Sequence, residues 1–127
     1  MQHPGRSVNI LQQSPLKVVD QTTCNNLNKA SSGITITDKM VCAGYGPGNR
    51  RSGCHGDSGG PFVCQGGDGR WVLQGDVSWG SPRCDTNEAY TVFAKVAAFI
   101  PWIKSYTEGK NLYLIIFLLV SLGHGDK

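Results

Sequence analysis

The sequence predicts an all-β fold built around a single core. Glycine is abundant, with 17 residues, and charged residues make up only 17% of the chain, a balance typical of turn-rich β proteins rather than of helical bundles or disordered tails. Short apolar runs alternate with clusters of Gly, Pro, Asn and Ser, and no internal repeat is visible. This alternation is the pattern of strands and turns. A chain of 127 residues has room for one domain.

Five apolar segments are predicted as strands. The first, Val8 to Val19, contains Pro15, which bends a strand or confines it to the edge of a sheet. The other four are rich in Val, Trp, Phe and Tyr, which favour strands: Met40 to Ala43, Pro61 to Cys64, Trp71 to Trp79 and Tyr90 to Val96.

Two segments are predicted as helices. Cys24 to Ala30 is compatible with a short helix between the first two strands. Ala97 to Tyr106 has apolar residues at a spacing close to a helical stripe, and Pro101 is tolerated only near the first turn of such a helix. This second segment is the expected C-terminal helix, and the domain is expected to cover residues 1–107.

Residues 108–127 form an atypical tail. The run from Leu112 to Leu122 is almost wholly apolar, but a membrane span needs about 20 such residues, so no membrane span is expected. A short anchor and a misread coding sequence are both compatible with the run. The second is favoured, because the run fits nothing in the preceding domain.

The charge of the chain argues against a nucleic-acid partner. The net charge is +3, and the basic residues are scattered except for Arg50 and Arg51. No continuous positive stripe is present to follow a phosphate backbone. The Arg-Arg pair is interpreted as part of a solvated loop.

Five cysteines indicate disulfides and an oxidising compartment. They lack Cys-x-x-Cys spacing and a nearby histidine cluster, so no metal site is expected. The odd count leaves one sulfur without a partner inside the chain. Met1 to Arg6 has no apolar segment of the kind found in a signal peptide. We therefore expect a piece of a secreted protein with more sequence upstream, the alternative being a cytosolic protein with reduced cysteines.

The segment from Ser52 to Pro61 carries the chemistry. It reads Ser-Gly-Cys-His-Gly-Asp-Ser-Gly-Gly-Pro, and a serine between glycines allows backbone amides to converge on an oxyanion. A plain glycine-rich turn is the simplest alternative. The nucleophile elbow of α/β-hydrolases is another, but it needs a strand before the serine and a helix after it. Here Arg50 and Arg51 precede, and Pro61 to Val63 follows as a strand.

The motif Gly56 to Pro61, followed by Val77 to Gly80 and by Trp102-Ile103, resembles the trypsin and chymotrypsin family of serine proteases. The resemblance covers roughly His3 to Thr107. It implies an incomplete six-stranded Greek-key barrel with a C-terminal helix, the second of two barrels, and an endopeptidase activity that proceeds through an acyl-enzyme. No cofactor is implied.

The resemblance also implies roles for the motif residues. Ser58 is the nucleophile, and the amides of Gly56 and Ser58 form the oxyanion hole. Asp57 pairs with the α-amino group that zymogen cleavage releases. The chain shows no counterpart of the catalytic histidine and aspartate of the family, so it is expected to be inactive by itself, because a serine without a base is a poor nucleophile.

By the same resemblance, five residues bind substrate: Ser52 at the pocket base, Ser78 and Gly80 along the substrate backbone, Trp79 between them, and Thr91, which makes the pocket shallower. The absence of an aspartate at Ser52 removes the attraction for Lys or Arg. The expected preference is for medium to large apolar residues before the cut, as in the elastase and chymotrypsin branch.

The family pairing joins Cys24 to Cys42 and Cys54 to Cys84. Cys64 is then left over, and its implied partner belongs to the missing N-terminal barrel. The other expected partners are polypeptide substrates or protein inhibitors.

Several residues depart from the family pattern or stay open. Asp76 stands where an apolar residue is usual, and it is either a costly buried carboxylate or solvent-facing. His3, His55 and His124 are interpreted as surface histidines, with His55 at a variable position of the pocket rim. Tyr90 occupies a position where tyrosine permits sodium binding in some relatives. The alternative function is a non-catalytic module that binds peptides or inhibitors without cutting them.

Overall fold

The computed structural model describes residues 9–108. Two compact units, Met1–Ala97 and Ala98–Lys127, divide the chain. The described part of the first contains a five-stranded antiparallel sheet and one α-helix, and residues 100–108 of the second are helical. The all-β class with a C-terminal helix is therefore confirmed. The predictions for residues 1–8 and for the tail after residue 108 lie outside the described residues.

The sheet has the strand order β1-β2-β5-β4-β3, so that β1 and β3 form its two edges. The strands are β1 (Val18–Val19), β2 (Met40–Ala43), β3 (Pro61–Gln65), β4 (Trp71–Trp79) and β5 (Thr91–Lys95). Every neighbouring pair is antiparallel. The open order with two free edges is the arrangement expected of an incomplete barrel.

The predicted first strand is much shorter in the structure. Only Val18 and Val19 pair with β2, and residues 11–17 have no regular structure. Pro15 has no N–H to donate, and it also restricts the residue before it, so the ladder begins after it. The other four strands agree with the prediction to within one residue at each end.

Helix α1 (Gln21–Ser32) is longer than the predicted Cys24 to Ala30 because its caps lie outside that range. The Asp20 side chain accepts a hydrogen bond from the Thr23 amide at 2.9 Å, and this bond lowers the pKa of the Asp20 carboxyl. Gly33 ends the helix at φ +72°, with its N–H donating to the Lys29 carbonyl. An aspartate just before a helix is a common start signal, and a glycine just after it is a common stop signal.

Both faces of the sheet are buried at its central strand. Val92 of β5 packs with Cys24, Ile36 and Cys42 on one side. On the other side Phe93 packs with Ala43 and Phe62, and the two phenylalanine rings stack with centroids 4.6 Å apart. Because β5 is buried on both sides, the strands around it have a fixed register, and they carry the site described below.

The C-terminal helical region begins as a 3₁₀ turn, Val96–Phe99. The α-helical residues 100–108 follow, with Pro101 in the first turn, where its missing N–H costs least. The rings of Trp102 and Tyr106 lie one turn apart with centroids at 5.2 Å. No helix within residues 9–108 is long and apolar enough to span a membrane.

Candidate functional site

Two consecutive β-turns present Ser58. The Asp57 N–H donates to the Cys54 carbonyl at 3.0 Å, and the Gly60 N–H donates to the Asp57 carbonyl at 2.9 Å. The third residue of each turn is a glycine with positive φ, Gly56 at +94° and Gly59 at +78°. Any other residue would be strained in that conformation. The glycines of the motif therefore place Ser58 at the second position of the second turn, where it is exposed.

The turns are attached to β4. The Gly59 N–H donates to the Val77 carbonyl, and the Val77 N–H donates to the Gly60 carbonyl, both at 2.9 Å. A Cβ at Gly60 would lie 2.8 Å from the Asp57 carbonyl oxygen. Glycine is thus required for the second turn to close against the strand, and the serine takes its position from the sheet.

Asp57 stabilises the first turn from within. Its Oδ2 accepts a hydrogen bond from the Cys54 N–H at 2.8 Å, and the residue is half-buried. The carboxylate is therefore bonded to the backbone of the turn that contains Gly56. Its pairing with an α-amino group stays a prediction.

A cavity of about 300 Å³ opens beside Ser58. Five residues predicted for the nucleophile and pocket line it: Ser58, Ser78, Trp79, Gly80 and Thr91. His55, expected at the pocket rim, lines it as well, and five further residues were not predicted: Gly53, Cys54, Val77, Ser81 and Pro82. The implied Cys54–Cys84 pairing was the signal that could have found several of them, because it brings their two segments together.

Ser52 is not among the lining residues. It is half-buried, and its Oγ donates to the Cys84 carbonyl at 3.3 Å. The neighbouring Gly53 lines the cavity instead, and its N–H donates to Thr91 Oγ1 at 2.8 Å. The assignment of Ser52 as the pocket base stays a prediction.

Gly53 and Gly80 differ in the space around them. A Cβ at Gly53 would lie 2.8 Å from Thr91 Cγ2, closer than real contacts allow. A Cβ at Gly80 would meet only the Tyr90 carbonyl oxygen at 3.6 Å and Thr91 Cα at 3.7 Å, which are ordinary contacts. The wall between Gly53 and Thr91 is therefore closely packed, whereas the wall at Gly80 has room for a Cβ.

The rim of the cavity is cross-linked. The structure contains the Cys54–Cys84 disulfide as well as the Cys24–Cys42 disulfide, which are the two pairs that the resemblance implies. Glu88 binds the rim segment through an ion pair with Arg83 and a 2.6 Å hydrogen bond from Ser81 Oγ. The Cys54–Cys84 disulfide joins two loops distant in sequence at one side of the cavity, and the bonds of Glu88 stabilise the second loop, residues 81–88, internally.

His55 is the one histidine within residues 9–108. Its Nε2 lies 2.7 Å from the Pro82 carbonyl oxygen, and because a carbonyl can only accept, Nε2 is the donor. No hydrogen bond joins His55 to Ser58 in the described part of the chain. His55 is exposed, as expected from the sequence, whereas His3 and His124 lie outside the described residues.

Asp76 and Tyr90 are both half-buried. Asp76 stands between Pro61 of β3 and Ala94 of β5, so it is neither fully buried nor fully exposed. The main-chain carbonyl of Tyr90 accepts a hydrogen bond from Asn28 Nδ2 at 3.0 Å. Residues 9–108 contain no group of three or more His, Cys, Asp or Glu side chains arranged to hold a metal ion.

Fold and site together define a class of protein: an antiparallel β structure that presents a serine hydroxyl at the mouth of a pocket. Comparison with known proteins gives the family. The trypsin family profile matches residues 1–103, and the chain therefore belongs to the trypsin family.

Individual relatives agree with the profile. Proproteinase E of Bos taurus is 48% identical over 94 residues, which are 73% of this chain and 35% of that protein. Transmembrane protease serine 11C of Mus musculus is 44% identical over 103 residues, 81% of this chain and 23% of that protein. Clotting factor C of Tachypleus tridentatus is 43% identical over 102 residues, 76% of this chain and 10% of that protein. The chain thus spans about a third of these relatives' length or less.

Proposed function

We propose that this chain carries the nucleophile and the substrate pocket of a serine endopeptidase. The observation that carries the proposal is the position of Ser58, exposed on a glycine turn at the mouth of the 300 Å³ cavity. In this proposal Ser58 Oγ gives its proton to a base and attacks the peptide carbonyl, the C–N bond breaks, and the amine leaves with that proton. Water then hydrolyses the acyl-enzyme ester, which releases the carboxylic acid and returns a proton to Ser58 Oγ. The amides of Gly56 and Ser58 stabilise the oxyanion.

The cavity supports a preference for apolar side chains before the cut. None of the described residues that line it is acidic, so a Lys or Arg side chain would enter without a counter-charge, which is unfavourable. Thr91 occupies one wall, and Gly80, next to it, carries no side chain that would narrow the approach. We propose Leu, Met, Phe or Tyr as the preferred residues, with Ser78, Trp79 and Gly80 along the substrate.

The general base is proposed to come from a complementary N-terminal barrel. Within residues 9–108 no imidazole is bonded to Ser58, and the imidazole of His55 donates to Pro82. One edge of β3 pairs with no strand among residues 9–108, and Cys64 on that strand is a free thiol; together they offer a place of attachment. The two disulfides support a secreted or extracellular location.

Labelling with a fluorophosphonate tests the nucleophile. The chain alone is expected to react slowly, and the chain joined to a complementary N-terminal barrel rapidly and at Ser58. Ser58→Ala abolishes labelling and turnover, whereas Ser14→Ala, at an exposed position far along the chain, changes neither. Rapid labelling of the chain alone would mean that it contains its own base, with His55 the first residue to replace.

The same joined protein tests specificity with a peptide library. Cleavage after Leu, Met, Phe or Tyr is expected, and cleavage after Lys or Arg would contradict the pocket assignment.

A non-catalytic binding module is the second candidate. The absence of an imidazole bonded to Ser58 in the described residues, beside a cavity of about 300 Å³, is what favours it. Failure of the joined protein to label, together with retained binding of apolar peptides, would support this alternative. An in-frame Ala-His-Cys motif in the upstream transcript would argue for the endopeptidase.

A further inference from the structure

Two basic side chains converge on one aromatic ring away from the cavity. Lys17 Nζ lies 5.6 Å from the centroid of the Tyr45 ring, and Arg51 Cζ lies 5.7 Å from the same centroid. Their charges are therefore no farther apart than the sum of these two distances. Arg50 is adjacent in sequence and exposed. We call Lys17, Tyr45, Arg50 and Arg51 the Tyr45 cluster; none of the four lines the cavity.

The backbone beneath the Tyr45 cluster is fixed by hydrogen bonds. The Gly44 N–H donates to the Lys17 carbonyl at 2.8 Å, which holds Lys17 beside the end of β2. The Arg51 N–H donates to Asn49 Oδ1 at 2.9 Å, and Thr86 Oγ1 donates to the Asn49 carbonyl. The segments that carry the charges are thus held in place without a ligand, which reduces the entropy lost on binding.

No carboxylate among the described residues forms an ion pair with the basic side chains of the cluster. Three other basic residues do have carboxylate partners: Arg70 pairs with Asp68, Arg83 with Glu88 and Lys104 with Glu108. Within residues 9–108 no such pair involves Lys17, Arg50 or Arg51. Like charges held this close repel one another. A bound anion would attract each of them and so offset the repulsion.

We propose that the Tyr45 cluster binds a sulfated polysaccharide. The planar guanidinium groups of Arg50 and Arg51 suit the oxygens of a sulfate group, which they can engage through two parallel hydrogen bonds. Lys17, on the same ring as Arg51, supplies a further charge for the next sulfate along the chain. Two disulfides indicate an oxidising compartment, where sulfated polysaccharides rather than nucleic acids are the prevalent polyanions. This proposal does not depend on Ser58.

The test is calorimetric titration of the full chain with a heparin hexasaccharide at several salt concentrations. The triple variant Lys17→Gln, Arg50→Gln, Arg51→Gln is expected to lose roughly tenfold or more in affinity, with a shallower dependence on salt. The matched control is Lys29→Gln, Lys39→Gln, Lys95→Gln, which removes the same charge. These three lysines are also exposed and have no carboxylate partner among the described residues, but the contacts of basic side chains with an aromatic ring in residues 9–108 involve only Lys17 and Arg51. The control is expected to change affinity by less than roughly twofold.

Two further variants separate the effect of guanidinium geometry from that of charge, and polysaccharide binding from the proposed protease function. Arg50→Lys with Arg51→Lys keeps the charge but removes the forked geometry, so an intermediate affinity is expected. Ser58→Ala is expected to bind the hexasaccharide like the unchanged protein, so that a failure of the proposed protease function leaves this test valid. Circular dichroism of each variant verifies that the fold is retained.

Equal losses in the cluster variant and the lysine control would overturn the proposal, because they would show attraction by net charge alone. Binding of a single-stranded DNA oligomer of equal charge as tightly as the hexasaccharide would also overturn it, since the site would then not select sulfate. No measurable binding at low salt would have the same consequence.

Discussion

Gly53 shows how one missing side chain shapes the pocket wall. A Cβ there would lie 2.8 Å from Thr91 Cγ2, and Thr91 is buried, with 3% of its surface exposed. Gly53→Ala is therefore expected to lower the free energy of unfolding by about 1–3 kcal/mol. Thr91→Ser removes the clashing methyl and keeps the hydroxyl that accepts from the Gly53 N–H.

The double variant is accordingly expected to recover most of that loss, as measured by urea denaturation of both single variants and the pair. If the double variant loses the sum of the two single-variant losses in the free energy of unfolding, the methyl group that Gly53→Ala adds does not clash with that of Thr91.

Gly80 allows the opposite experiment. A Cβ at this position would meet only ordinary contacts, so Gly80→Val is expected to fold, with a stability change of about 1 kcal/mol or less. The added methyl groups narrow the approach to the cavity. In the protein joined to a complementary barrel, kcat/KM for peptides with Phe or Tyr before the cut should fall at least roughly tenfold. Peptides with Ala there should lose less, and a uniform loss for all peptides would contradict the placement of Gly80 in the cavity wall.

At the scale of elements, Asn28 joins α1 to β5. Its side chain is fully buried; Nδ2 donates to the Tyr90 carbonyl at 3.0 Å, and Oδ1 accepts from the Tyr90 N–H at 2.9 Å. Asn28→Ala would leave both backbone groups unpaired, so a loss of roughly 2–4 kcal/mol is expected in chemical denaturation. Asn26→Ala, at an exposed position of the same helix, is the control. Similar losses in both variants would show that helix propensity, and not the bridge to Tyr90, is responsible.

Asp20 makes the stability of α1 depend on pH. The hydrogen bond from the Thr23 backbone lowers the pKa of Asp20 in the folded chain, so the ionised cap stabilises the helix. That contribution is complete above the unfolded pKa of about 4 and is lost as the pH falls through the folded pKa.

The difference in urea midpoint between the unchanged protein and Asp20→Ala is expected to be constant near neutral pH and to shrink below about pH 4. Asp20→Asn keeps an acceptor but cannot ionise, so its difference from Asp20→Ala should not vary with pH. A gap between the unchanged protein and Asp20→Ala that widened in acid would contradict the assignment.

At the scale of the whole molecule, two disulfides connect distant segments, with separations of 18 and 30 residues. Loops of this size stabilise a fold by about 3 kcal/mol each in the chain-entropy view. Peptide mapping without reduction is expected to recover Cys24–Cys42 and Cys54–Cys84. Cys64 should be alkylated as a free thiol or found joined to another chain. A dominant Cys54–Cys64 or Cys64–Cys84 bond would contradict the pairing.

Much of the site could be predicted from the sequence because its determinants are local. The glycines at 56 and 59 adopt positive φ in turns that span four residues each, so the motif alone specifies how Ser58 is presented. Four of the strands follow from runs of β-branched and aromatic residues. The full extent of α1 could also be predicted, since Asp20 and Gly33 mark its ends, whereas the predicted helix, Cys24 to Ala30, takes neither cap into account.

The sequence by itself determined the family, the fold class and the turn that carries Ser58. The tertiary structure decided that β1 begins only at Val18, that Gly53 and Pro82 line the cavity while Ser52 does not, and that Lys17 joins Arg51 at Tyr45. Backbone preferences act over a few residues, whereas cavity walls and charge clusters arise where strand register, disulfides and long-range hydrogen bonds bring separate segments together. No local sequence pattern specifies which distant segments will meet.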